Sequence, residues 1–157
     1  SDYAVADERR LEALARIIAE DPADFTLGGC HLRRRGPVLD IHRDWGAIRD
    51  RLTPVPNNSN KGTTALWDGR FNVMVAPEQT PNSDLTIARL GEAGLRQLGQ
   101  RGHPQGEFGI PEPARKALPA LWAGDRLVSV PFLGFGSGFA VRFQPERAAA
   151  SGGFTVA

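Results

Sequence analysis

The residues of this chain best suited to binding chemistry form a basic cluster in the segment FTLGGCHLRRRGPVLDIHRDW at positions 25–45. Three consecutive arginines are followed, after a short stretch, by a fourth arginine and a tryptophan. Guanidinium groups bind phosphate as planar forks, and an aromatic ring offers a plane on which a nucleobase can stack. The segment is typical of a phosphate or RNA contact, with a solvated hairpin tip as the alternative interpretation. The candidate binding residues are Arg33, Arg34, Arg35, Arg43 and Trp45.

Three residues of types that bind metals, Cys30, His31 and His42, lie in the same segment. Zinc takes about four such ligands at the corners of a tetrahedron. Consecutive side chains of a strand point to opposite faces, so Cys30 and His31 are not expected to reach one ion. We therefore predict no metal site. The sequence also shows neither the paired carboxylates nor the Ser-His-Asp arrangement that would indicate a catalytic centre.

Two glycine-rich motifs near the C-terminus match nucleotide-binding sequences only in part. The SGG at 151–153 begins like a phosphate-binding loop, but too few residues follow for the helix whose amino end such loops use. The GxGxG at 134–138 lacks the third-glycine offset of a dinucleotide site and lies between aromatic residues. We interpret the second motif as a bending strand.

The overall composition limits the class of protein. A chain of 157 residues with 41% hydrophobic and 24% charged residues is typical of one globular domain, with or without an appendage. No apolar run approaches the ~20 residues that cross a bilayer. The single cysteine favours a reducing compartment, so we expect a cytoplasmic protein without membrane contact. The net charge of +1 means that any nucleic-acid contact must use a local patch.

The basic cluster is predicted to lie on a two-stranded β-hairpin that Gly28-Gly29 enters and whose loop is Gly36-Pro37. Alternation places Leu32 opposite Ile41, whereas a slip of one residue would place Leu32 opposite a histidine on the wrong face. An ion pair between Arg33 and Asp40 across the strands would compete with a ligand contact. The other predicted pairs are Cys30 with Arg43, His31 with His42, and Arg34 with Leu39.

Patterns elsewhere predict an α+β fold with a mainly antiparallel sheet, because no βαβ alternation occurs. An apolar stripe of Leu11, Leu14, Ala15 and Ile18 predicts an amphipathic helix over residues 7–20. The remaining predicted elements are loops at 53–64 and 76–83, strands at 71–75 and 84–90, helices at 91–98 and 113–118, and a hairpin that turns at 123–125.

Several short motifs occur in a definite order between residues 7 and 135. They are TLGGC at 26–30, the basic hairpin, WDGRF at 67–71, LGEAGL at 90–95 and ALPALWAGDRLVSVPFLG at 117–134. In this order the motifs resemble the C-terminal portion of bacterial tRNA(Ile)-lysidine synthases. The missing initiator methionine agrees with a piece of a longer chain.

The resemblance implies a function that the residue types and their spacing alone do not indicate. Enzymes of that family use ATP to adenylate the wobble cytidine of an isoleucine tRNA and then join lysine to it, which forms lysidine. Their SGGxDS loop binds ATP in an N-terminal domain that this sequence lacks. The resemblance therefore implies no catalytic residue and no cofactor here, with ATP and Mg²⁺ bound by the absent domain. The implied partners are tRNA and the catalytic domain of the parent chain.

We therefore predict a non-catalytic tRNA-recognition fragment of a ligase. Residues 1–24 would end a helical middle region, 25–143 would form the C-terminal recognition domain, and 144–157 would be a frayed tail. Arg70 joins the four arginines of the cluster as a predicted phosphate contact, and Trp45 is the predicted base stacker. Two alternatives stay open: a small independent enzyme, and a structural or homodimerisation domain. The second would use an exposed patch of Trp67, Trp122 and Phe132.

Overall fold

A computed structural model of the chain describes residues 23–49, 51–52, 63–76, 85–103 and 109–144, together with positions 8, 11–13, 15–17 and 19–20. The chain divides into two compact units, unit 1 over residues 1–47 and unit 2 over residues 48–157. All described strand pairs are antiparallel, and the described helices are short, which confirms the predicted α+β class. The domain boundaries predicted at 24 and 143 stay a prediction.

Unit 1 is built on a three-stranded antiparallel sheet. Its strands are β1 (Ala23–Leu27), β2 (Cys30–Arg35) and β3 (Val38–Arg43), in the order β1-β2-β3, and a 3-10 turn follows at Trp45–Ala47. Every residue pair predicted between β2 and β3 is confirmed. Strand β1 was not predicted, because Gly28-Gly29 was interpreted as the entry to a hairpin. Both glycines have positive φ, so they form a tight turn that pairs β1 with β2.

The described positions of the N-terminal helix are helical up to Ala19, which agrees with the prediction to within one residue, but the apolar stripe is wrong in part. Leu11 is 67% exposed and Ala15 is also exposed, whereas Ile17, outside the stripe, is buried. Leu14 and Ile18 lie outside the described residues. Periodicity identifies the apolar side of a helix, but it does not determine how much of that side a neighbouring sheet covers.

Unit 2 contains two three-stranded antiparallel sheets. The first has β4 (Thr63–Trp67), β5 (Phe71–Val75) and β9 (Phe139–Phe143), in the order β4-β5-β9. The second has β6 (Leu85–Arg89), β7 (Pro119–Ala123) and β8 (Arg126–Ser129), in the order β6-β7-β8. The helical elements are α1 (Gly91–Gln100), α2 (Glu112–Lys116) and a 3-10 turn at Pro131–Leu133. The predicted strands at 71–75 and 84–90, both short helices and the second hairpin are thus confirmed within two residues.

Strand β4 corrects one prediction. Thr63 and Thr64 belong to this strand, although they were assigned to the loop at 53–64; residues 53–62 lie outside the described part. The strand is joined to β5 by a turn at Asp68-Gly69, where both residues have positive φ. An Asp-Gly pair between apolar strands is a strong hairpin signal, and Trp67 accordingly pairs with Phe71 across it.

The packing of unit 2 explains why a glycine lies inside a helix. Gly94 lies inside α1, where glycine costs ~1 kcal/mol relative to alanine. A Cβ at this position would overlap the side chain of Leu90 and lie 3.3 Å from Trp122. The glycine therefore allows close packing. The buried core beside it consists of Leu90, Leu95, Leu98, Leu118, Ala120, Leu127, Val130 and Leu133.

Candidate nucleic-acid interface

Strand alternation divides the side chains of the unit 1 sheet between two faces, because the register in both strand pairs is fixed. What we call the polar face carries Asp24, Thr26, His31, Arg33, Arg35, Val38, Asp40 and His42. What we call the apolar face carries Phe25, Leu27, Cys30, Leu32, Arg34, Leu39, Ile41 and Arg43. The consecutive arginines predicted as one cluster are therefore separated, and Arg34 lies on the face opposite to its neighbours.

A chain of polar contacts crosses all three strands on the polar face. Nε2 of His31 lies 2.5 Å from Oδ1 of Asp24, and Nδ1 of His31 lies 3.2 Å from Nε2 of His42. The two imidazole centroids are 4.8 Å apart. When His31 donates from Nε2 to Asp24, its Nδ1 accepts from His42, so one tautomer of each ring satisfies the whole chain. The sequence predicted that the histidines oppose each other but missed Asp24, because β1 was not predicted.

Arg33 and Arg35 extend from the polar face toward the hairpin tip. The Cα pairing of Arg33 with Asp40 is confirmed, but its ion pair is made on the other side, with Nε 3.7 Å from Oδ2 of Asp24. Both of these side chains are substantially exposed, so the pair contributes only ~0–1 kcal/mol. Arg35 is exposed. These two guanidinium groups are the ones of the predicted set that the sheet presents beside the histidines.

Arg34 and Arg43 are engaged with backbone carbonyls of unit 1. Nη1 of Arg34 donates to the carbonyl of Ile17 at 2.7 Å, and its Nε donates to that of Gly36 at 3.1 Å. Nη1 of Arg43 donates to the carbonyl of Gly29 at 2.6 Å. Both arginines therefore hold local structure together. Since a guanidinium has five donors, a phosphate contact would have to use those that remain.

The last two predicted contacts lie in different units. Trp45 is half-buried in the 3-10 turn, which the Asp44 carboxylate fixes by accepting from the amide of Gly46 at 2.9 Å. Arg70 belongs to unit 2, where its Nε donates to Oδ2 of Asp68 at 2.8 Å. Its Cζ also lies 4.9 Å from the centroid of the Phe71 ring. The roles predicted for Trp45 and Arg70 remain predictions.

The exposed aromatic patch predicted for a structural domain is wrong for one of its three members. Trp67 is fully buried, because it faces inward from β4 beside Phe71. Trp122 and Phe132 are half-buried against the core of unit 2. The exposed aromatic side chain near this cluster is Phe143, which the sequence analysis did not identify. Because Phe143 falls in phase with the inward Phe139, alternation alone places it on the buried face and does not indicate its exposure.

In the part of the chain that the structure describes, no group of three or more His, Cys, Asp or Glu side chains is arranged to hold a metal ion. No described helix is both long and apolar enough to cross a membrane.

Comparison with known proteins relates the chain to an enzyme of tRNA modification. It is 30% identical over 133 residues to a tRNA(Ile)-lysidine synthase of Ruegeria pomeroyi. The match covers 85% of this chain but 27% of that protein, so the chain spans about a quarter of the length of this curated relative. No family model and no solved structure matches. The chain is thus similar to a fragment of a tRNA(Ile)-lysidine synthase.

Proposed function

We propose that this chain is the C-terminal tRNA-recognition part of an ATP-dependent ligase that joins lysine to the wobble cytidine of an isoleucine tRNA. The similarity to a tRNA(Ile)-lysidine synthase over most of the chain carries this proposal. In it, the chain makes no bond itself. The catalytic domain of the parent chain binds ATP and Mg²⁺, and the whole enzyme acts in the cytoplasm.

The polar face of unit 1 is the proposed phosphate contact. Arg33 has a long, exposed ion pair with Asp24, and this carboxylate has a second and shorter contact with His31. A phosphate can therefore replace Asp24 as the ion-pair partner of Arg33, while the Asp24 carboxylate keeps its contact with the His31 imidazole. Arg35 adds a second exposed guanidinium on the same face. Bidentate guanidinium contacts to phosphate supply affinity without reading the base sequence.

The other predicted residues would have supporting roles in RNA binding. Arg34 and Arg43 keep the sheet in shape through their carbonyl contacts and add positive charge near the RNA. Trp45 offers its half-exposed indole to a base, and Arg70 contacts phosphate from unit 2. Stacking and phosphate contacts of this kind are typical of proteins that bind structured RNA with unpaired regions.

A salt titration tests the polar face. The double variant Arg33→Ala/Arg35→Ala should bind an isoleucine tRNA transcript more weakly, and the slope of log affinity against log salt should fall by about one for each lost phosphate contact. The matched control is Arg96→Ala/Arg126→Ala, which removes two exposed arginines of unit 2. Equal affinity and slope for the two double variants would contradict the proposal.

A structural or homodimerisation domain is the second candidate, and one observation favours it. Val38, Leu39 and Ile41 are exposed on β3, which is an edge strand among the described strands of unit 1. Exposed apolar edges are surfaces that chains use to pair with one another. Sedimentation of the wild-type chain beside Ile41→Lys tests this candidate. A dimer that the lysine dissociates would support it, and a monomer at all concentrations would exclude homodimerisation.

A further inference from the structure

Phe143 leaves the protein interior at the end of a row of inward side chains. It closes β9, and the register places it on the same side of the sheet as Phe139 and opposite Phe71. Phe139 and Phe71 are buried, with 7% and 5% of their surfaces exposed, whereas Phe143 is 59% exposed. A large aromatic side chain is therefore presented to solvent from the rim of a packed sheet.

The neighbours of Phe143 hold it in position. Its ring centroid lies 5.5 Å from that of Phe71, with the ring planes 64° apart, so the rings meet edge to face. Phe71 is backed in turn by Phe132 at 5.7 Å and by Trp67 at 6.0 Å. Beyond the strand, the amide of Gln144 donates to the carbonyl of Arg70 at 2.7 Å. Little conformational entropy is therefore left to lose when a flat ligand stacks on this ring.

A guanidinium group held by an ion pair lies at the same rim. The guanidinium of Arg70 lies over the Phe71 ring and is paired with Asp68, whose side chain is only 7% exposed. The carboxylate is thus nearly hidden, while about a quarter of the Arg70 side chain, 26%, is exposed. The adjacent Arg142 is exposed too, but alternation places it on the opposite face of the sheet. The surface therefore pairs the aromatic ring with the guanidinium of Arg70.

That combination fits one class of ligand. A nucleotide joins a flat π system to a phosphate, so it can stack on Phe143 while its phosphate approaches the guanidinium of Arg70. A base inside a duplex is already stacked on both sides and offers no face to a side chain. An apolar protein segment would have to cover the charged rim, which costs desolvation free energy. The surface therefore favours an unpaired nucleotide.

We infer that Phe143 is a stacking platform for an unpaired nucleobase of RNA, with Arg70 positioned for its phosphate. The inference rests on the proposed RNA-binding function and adds to it a contact in unit 2 that is independent of the polar face. It also identifies the element of the RNA, which is a single-stranded nucleotide rather than a paired stem.

Substitutions of Phe143 in the full chain test the platform. Phe143→Ala should weaken binding to a short oligouridylate by roughly 5- to 150-fold, which is the range of one lost base–aromatic stack. Phe143→Leu should lose nearly as much although it remains apolar, and Phe143→Trp should retain binding. The matched control is Met74→Ala, which shortens an exposed apolar side chain of β5 that points to the opposite face of the same sheet. All variants are compared by thermal melting to establish that they fold.

Fluorescence gives a second measurement that does not depend on loss of binding. In Phe143→Trp, the emission that exceeds that of the wild-type chain should be quenched by oligouridylate and by an isoleucine tRNA, but not by a blunt RNA duplex. Wild-type affinity in both Phe143→Ala and Phe143→Leu, with no quenching, would overturn the platform while leaving the proposed function intact. Binding of oligouridylate through Phe143 without any binding of tRNA would support the platform and contradict the proposed function. A chain that binds none of these RNAs would overturn both.

Discussion

The two units of this chain stabilise their sheets by different means. Unit 2 surrounds a core of fully buried side chains, among them Trp67, Leu98, Leu121 and Leu127. In unit 1, the buried hydrophobic residues among those that the structure describes are Ile17 and Leu32. Its strands are instead joined by tight glycine turns, and arginine side chains donate to backbone carbonyls beside them.

Because of this difference, we expect unit 2 to contribute most of the folding stability and unit 1 to present most of the groups suited to binding. Burial of apolar surface contributes ~25 cal/mol per Å², so most of the folding free energy of the described chain is expected to come from unit 2. A small sheet with one polar face leaves cationic and imidazole side chains accessible, and these are the groups that bind phosphate. Arg33 and Arg35 of unit 1 are therefore not subject to the packing constraints that dominate unit 2.

Replacing one buried leucine of each unit by alanine should give the largest difference between the units in the free energy of unfolding. Leu98→Ala should reduce the free energy of unfolding of unit 2 by about 3–5 kcal/mol, because it empties a fully buried site. Leu32→Ala should reduce that of unit 1 by about 2 kcal/mol, since one sheet and one helix surround it less completely. Urea titration with hydrogen exchange on each unit measures both values. Equal losses would contradict the proposed difference in packing.

Alanine variants of two glycines in unit 2 test how tightly the backbone around each glycine is packed. Gly136 has φ +75°, and a Cβ there would overlap the carbonyl oxygen of Val128 and the backbone of Ser129. Gly124 also has a positive φ, +56°, but the space around it is open. Gly136→Ala should cost about 2–5 kcal/mol, and Gly124→Ala about 1 kcal/mol. Thermal melting of the two variants checks the difference, which should be absent if the surrounding backbone yields.

Alanine variants of two glycines in unit 1 should differ less from each other in stability. Gly28 and Gly29 share one turn and both have positive φ, but only Gly29 faces a neighbour, the guanidinium of Arg43. Each alanine variant should lose about 1 kcal/mol through backbone strain, and Gly29→Ala about 1 kcal/mol more, through the displaced hydrogen bond. This difference is small because the flexible Arg43 side chain can move away from the new methyl group. The Val128 carbonyl, which faces Gly136 in unit 2, is part of the backbone and cannot move in this way. A larger gap than that between the Gly136 and Gly124 variants would show that unit 1 is the more rigid one.

The smallest effect is expected on the exposed part of β3. Ile41 is 59% exposed, so Ile41→Thr should change the free energy of unfolding by less than about 0.5 kcal/mol. Threonine keeps the β-branched shape that strands favour. Chemical denaturation tests this, and a loss above 1 kcal/mol would mean that the edge of unit 1 is covered in solution.

Much of the fold followed from local pattern. The Leu32–Ile41 pairing predicted the whole β2–β3 register correctly, because alternation and a two-residue loop leave few other solutions. The strand β1 was missed, since Gly28-Gly29 can begin a hairpin or join two strands, and only the third strand distinguishes the two cases. The candidate site stays a prediction, and within it the structure places Arg34 on the opposite face of the sheet from Arg33 and Arg35, as strand alternation requires.

The sequence by itself determined which residues oppose each other across short turns, because neighbours in the chain meet at little cost in loop entropy. Only the tertiary structure decided which of these residues find partners farther along the chain. Arg34 reaches the carbonyl of Ile17 in the N-terminal helix, and Phe143 reaches Phe71 because β9 closes the sheet started by β4 and β5. Such contacts depend on which surfaces remain uncovered after packing, and no local spacing encodes that outcome.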